Sequence, residues 1–185
     1  AISSTRSGIE IANSSDVSLS GLTIEDAGNW AIKATDSIVI LSGSTFSGNG
    51  YGAISVAGGS LELNNSMLTE NIGFGVFANE SAALTLTENT ITNTTYTKDD
   101  DIDDGYGVRI EGDAVATLEN NTLADNFLSN VSVNDADLTL TGDQISGGYY
   151  GIYMFDGELS LQDVSISDGF YHGLRARTPG SITIS

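Results

Sequence analysis

Cysteine is absent from this chain, and proline and histidine occur once each. Without cysteine no disulfide contributes to stability, and the redox compartment cannot be read from thiols. The lone proline, Pro179, suits a chain whose strands donate hydrogen bonds on both sides, since proline lacks the N–H. No apolar run reaches the ~18 residues of a membrane-spanning helix, so membrane insertion is not expected. Basic residues are scarce: six Lys and Arg face 25 Asp and Glu, for a net charge of −19 over 185 residues. Such a surface repels nucleic acid and anionic lipid, and favours solubility and cation binding. A helical period is also missing.

A repeat stands in its place. An apolar residue opening a short strand recurs at Ile9, Ile32, Ile54, Val76, Val108, Val131, Ile152 and Leu174. Nine or ten positions later comes a second anchor, at Leu19, Leu41, Leu63, Leu86, Leu118, Leu140, Leu161 and Ile184. Five positions beyond the first seven of these comes a third, at Ile24, Phe46, Leu68, Ile91, Leu123, Ile145 and Ile166. Around each anchor apolar and polar residues alternate, as in Leu84-Thr85-Leu86, which sends one set of side chains inward and the other to water. Segments this short are unstable as lone hairpins, but stacked in coils they bury a continuous aliphatic column. The links are rich in Gly, Asn, Asp and Ser, which tolerate tight, left-handed turns. The pattern predicts an all-β parallel β-helix over residues 1–185, a single domain of about eight coils with three short strands in each ~22-residue coil. At about 4.8 Å per coil, the rod is roughly 38 Å long.

Two polar columns fit this register. Ser44, Ser66, Asn89, Asn121 and Asp143 precede the third anchor by two residues, and Asn49, Asn71 and Asn126 follow it by three. Stacked at turns, such side chains can hydrogen-bond to the neighbouring coil and to their own backbone.

The phrases Gly107-Val-Arg-Ile with Ala116-Thr-Leu-Glu-Asn-Asn-Thr-Leu, and Gly75-Val-Phe-Ala with Leu84-Thr-Leu-Thr-Glu-Asn-Thr-Ile, resemble right-handed parallel β-helix repeats of the pectate-lyase-like superfamily. The likeness covers essentially the whole chain. It implies the fold, its right-handed sense and a secreted or cell-surface setting. It leaves activity open, because that superfamily holds lyases, hydrolases, epimerases, phage tailspikes and non-enzymatic surface proteins.

Both ends fall within a coil. Ile2 stands where the third anchor of a preceding coil belongs, and Ser181–Ser185 forms a second strand with no third after it. Stacked-repeat proteins ordinarily close with a polar cap. The chain is therefore expected to be a segment of a longer solenoid, or to stack end to end with another molecule.

Chemistry is sought in two places. The step from Val76 to Val108 is 32 residues instead of about 22, which predicts an acidic loop insertion at residues 94–105. Asp99, Asp100, Asp101, Asp103 and Asp104 lie within six positions there, and a hard cation such as Ca2+ would relieve their repulsion. The alternative is a solvated acidic loop. No organic cofactor is expected. The second place is the outward side of the first strand: Lys33, Phe77, Arg109, Tyr153 and Arg175, with Trp30, Phe74, Tyr106 and Tyr150 at the strand start. Sugars stack on aromatic faces and Arg grips carboxylates, so this face could bind an acidic polysaccharide or surface glycan. The competing reading is cross-strand stacking that stabilises the sheet.

The resemblance adds a catalytic alternative. In β-helix lyases calcium-bound carboxylates acidify a uronate and an Arg or Lys takes the proton, which would assign Asp103, Asp104 and Arg109. The family's hydrolases use paired aspartates and a Gly-His-Gly motif; here only Tyr171-His172-Gly173 is comparable. The leading expectation is a non-enzymatic secreted or cell-surface rod, structural or adhesive, with carbohydrate contact along the first-strand face. The alternative is a calcium-dependent polysaccharide lyase or related glycan-active enzyme. Outward Ser and Thr on the second strand are similar to the rows of ice-binding solenoids, but Glu62, Asn64, Glu119 and Gln162 interrupt them.

Overall fold

Strands too short to bury a core alone do so here by piling up. A computed structural model describes residues 6–96 and 104–185, and every regular element among them is a β-strand. First strands run Ile9–Ala12, Phe74–Asn79, Tyr106–Glu111, Ser129–Asn134, Tyr150–Met154 and His172–Ala176. Second strands run Val17–Ser20, Ala83–Thr87, Val115–Glu119, Asp137–Thr141, Glu158–Gln162 and Ser181–Ile184. The third strands, from Thr23–Glu25 to Ser165–Ser167, have three residues each and form a separate sheet of seven. All the pairings join one coil to the next in parallel, as a helically wound chain requires.

In coils two and three the predicted first and second strands are continuous, as Trp30–Ser42 and Gly52–Asn64. The chain bends there without leaving the sheet, at Asp36 (φ 46°) and at Gly58 and Gly59 (φ 65° and 70°).

All three anchor columns stack residue on residue. Ile9 pairs with Ile32, Ile32 with Ile54, and so on through Val76, Val108, Val131 and Ile152 to Leu174. The second column runs from Leu19 to Ile184 and the third from Ile24 to Ile166 in the same way. Ile32, Leu41 and Phe46, one from each anchor column within one coil, are 0% exposed. Full burial of such a side chain contributes about 1.5–3 kcal/mol.

The polar columns are hydrogen-bonded ladders. The Ser44 amide donates to Ser66 Oγ, Ser66 to Asn89 Oδ1, Asn89 to Asn121 Oδ1 and Asn121 to Asp143 Oδ1. Asn89 and Asn121 also give their side-chain N–H groups to the carbonyls of Leu63 and Leu86. In the other column Asn49 and Asn71 do likewise, while Thr94 takes the Asn position in the coil that carries the insertion. Thr94 Oγ1 is buried without a partner.

Beside each ladder residue runs a column of left-handed turns. Gly43, Asn65, Glu88, Asn120, Gly142 and Asp163 all have positive φ, as do Asp26, Gly48, Glu70, Asn93, Asp125, Gly147 and Asp168. Asn and Asp tolerate that conformation better than other L-residues. Part of the acidic composition is thus turn chemistry.

Candidate functional site

The first strand presents two outward columns, and all nine residues expected on this face stand in them. One pairs Lys33 with Ser55, then Phe77, Arg109, Ser132, Tyr153 and Arg175. The other, at the strand start, runs Trp30, Gly52, Phe74, Tyr106, Ser129, Tyr150 and His172. Along these columns the face changes character.

Coils two to five are closed. Gly52 has no side chain, and the Trp30 indole fills that space so fully that a Cβ there would collide with it. Trp30 reaches Phe74 at 5.7 Å between centroids, and Phe74 reaches Tyr106 at 5.9 Å, with interplanar angles of 27° and 19°. These three rings are 6%, 8% and 4% exposed, and Phe77 packs against them. Their faces are spent on one another, as the cross-strand stacking reading requires. Arg109 lies 4.8 Å from the Tyr106 ring centre and its Nε donates to Glu111 Oε2 at 3.0 Å, so its charge is already paired. Lys33 stays exposed at the margin.

Coils six to eight are open. Ser129 and Ser132 occupy the positions that hold aromatics or Arg in the coils on either side. The small Ser129 side chain stands at a recess of about 270 Å³, bounded by Tyr106, Tyr149, Tyr150, Tyr153, Arg175 and Arg177. Tyr149, Tyr150 and Tyr153 are half-buried, with part of each ring in water. Arg175 Nη1 donates to the Tyr150 hydroxyl at 2.6 Å, and its guanidinium sits 5.5 Å and 5.8 Å from the Tyr150 and Tyr153 ring centres. Among the described residues no carboxylate lies within ion-pairing distance of Arg175 or Arg177. Hydrogen bonding and ring contact fix the direction of Arg175 while its charge stays unneutralised.

Tyr149 was missed by reading the sequence for first-strand positions only. It lies in a turn, where its amide bonds to the Phe127 carbonyl and its own carbonyl accepts from Tyr171. The clue was a further column, Phe127, Tyr149 and Tyr171, at intervals of 22 residues. Tyr149 stacks on Tyr171 at 5.1 Å and meets Tyr150 edge-on at 4.9 Å.

Of the expected acidic-loop ligands, Asp99, Asp100, Asp101 and Asp103 lie outside the described residues. Asp104 is described: it is 2% exposed and its carboxylate lies beside Gly73. Among the described residues no three His, Cys, Asp or Glu side chains are grouped to hold a metal ion. Arg109, the base expected of a lyase, is on the outward column and engaged by Glu111.

No curated protein and no solved structure matches the chain. The right-handed β-helix region family does match it, over residues 7–103 and again over 74–185, in accord with the pectate-lyase-like resemblance. With parallel coils stacked in register through the described residues, the chain belongs to the right-handed β-helix family.

Proposed function

We propose that this chain is part of a non-enzymatic β-helical rod, secreted or exposed at a cell surface, that contacts an acidic polysaccharide or surface glycan through the recess at coils six to eight. The observation that carries this reading is the pair of guanidiniums, Arg175 and Arg177, without carboxylate partners among the described residues on a chain of net charge −19. Over most of such a surface an anion is repelled. Here two cations stand beside the partly open rings of Tyr149, Tyr150 and Tyr153, which suits a sugar ring carrying a carboxylate or sulfate. The secreted or surface setting follows the family resemblance. Binding without turnover is favoured because Arg109, the base a lyase would use, is held by Glu111 and the Tyr106 ring.

The test is titration of the intact protein with acidic oligosaccharides. Arg175→Gln should weaken binding by about tenfold, the loss expected for one charge-assisted contact. Equal weakening by Arg109→Gln, or no binding of any acidic glycan by the wild type, would contradict the proposal. Release of unsaturated uronate products would replace it with the lyase reading.

A further inference from the structure

We infer that the site selects a mixed saccharide, one acidic unit next to one uncharged unit, over a polymer of acidic units alone; this rests on the binding reading above. A second recess, of about 570 Å³, adjoins the first and shares Tyr149 and Leu128 with it as a common wall. It is bordered by Asp125, Phe127, Gly148, Tyr149, Asp168 and Phe170. Its chemistry is opposite to that of its neighbour. Phe127 and Phe170, two coils apart, are 53% and 82% exposed, and Phe170 rests against Tyr149 at 5.7 Å between ring centres. The charged groups here are carboxylates.

Their placement is set by the turn column. Asp125 and Asp168 hold left-handed turns two coils apart, with φ of 55° each, and Gly147 lies between them. A Cβ on Gly147 would collide with Asp125 Oδ1, so Gly147 is what lets this carboxylate lie along the column beside the recess. The two turns, roughly 10 Å apart along the rod, place their Asp residues at the border of an apolar floor. Hydroxyl and amide N–H groups of an uncharged sugar find acceptors there, and its apolar face finds Phe127, Tyr149 and Phe170. A uronate in the same place would meet two like charges. Repulsion of that kind discriminates between ligands that share their attractive contacts. Because only the Tyr149 and Leu128 wall separates the two recesses, consecutive units of one chain reach both.

The experiment compares three probes on the intact protein by calorimetry: hyaluronan oligosaccharide, in which uronate alternates with an N-acetylated hexosamine; oligogalacturonate of equal length; and a neutral chitin oligosaccharide. Hyaluronan oligosaccharide should bind about tenfold or more tighter than oligogalacturonate. The double variant Asp125→Asn with Asp168→Asn, which keeps side-chain shape and a residue tolerant of left-handed turns, should narrow that gap by improving oligogalacturonate binding. Thermal unfolding checks that it folds. Oligogalacturonate binding as tightly as hyaluronan, or a ratio unmoved in the folded double variant, overturns the selectivity and leaves the acidic-glycan reading standing. Failure of both acidic probes to bind, or chitin oligosaccharide matching hyaluronan, overturns the acidic-glycan reading and the selectivity with it.

Discussion

Asp143 closes a ladder whose two preceding members are asparagines. It accepts from the Asn121 amide at 2.8 Å and from Asn121 Nδ2 at 2.9 Å through Oδ1, and from the Thr141 amide through Oδ2. Burial raises its pKa above the ordinary carboxylate value, outweighing these hydrogen bonds, and the nearby Glu119 charge adds to the rise. The folded chain therefore holds this proton more tightly than the unfolded chain does. The resulting stabilisation is complete below the unfolded pKa and is lost as pH rises through the folded one. Asn at this position would keep the Oδ1 acceptor toward Asn121 and give up the Oδ2 acceptor of the Thr141 amide, while its N–H group gains the Leu118 carbonyl as Asn121 has that of Leu86. Asp143→Asn should be more stable than wild type near neutral pH, by about 1 kcal/mol, with the difference shrinking in acid. Thermal unfolding of both proteins across a pH series reads this directly. Parallel curves at every pH would show that Asp143 carries no such penalty.

At the scale of the strand and its column, the closed half of the face depends on one absent side chain. Trp30 lies over Gly52, and its indole joins Phe74 and through it Tyr106. Gly52→Ala would force the indole aside and should cost about 1–3 kcal/mol, measured by denaturant unfolding. Binding of an acidic oligosaccharide at coils six to eight should survive it. Loss of binding without loss of stability would instead place the ligand on the Trp30 stack. The anchor columns were legible in the sequence, because a period of two with a fixed 22-residue return leaves each apolar residue one partner above and one below. The polar ladders were legible for the same reason. The continuity of Trp30–Ser42 and Gly52–Asn64 was not, since Asp36 and the Gly58-Gly59 pair read as turns although the sheet bends through them. Nor was the division of the aromatic face. That is decided by what stands one coil away: Gly52 admits Trp30, whereas Ser129 leaves a gap beside Tyr150 and Tyr153. Tyr149, Phe127 and Phe170 escaped notice because they belong to turns outside the strand pattern.

Across the whole molecule, charge and shape divide the surface. Acidic side chains line the left-handed turn columns along the rod, and the expected acidic loop at residues 94–105 adds to them. Against that background the recess at Arg175 and Arg177 is a local exception, and it lies toward the opposite end of the described coils from Trp30. The central claim is that this recess, rather than the aromatic stack as a whole, meets an acidic glycan. The most direct measurement is a backbone NMR titration of the protein with a hyaluronan oligosaccharide. Amide shifts confined to Phe127–Tyr153 and Phe170–Arg177 are the expected result. Shifts centred on Trp30, Phe74 and Arg109, or none anywhere, would contradict it.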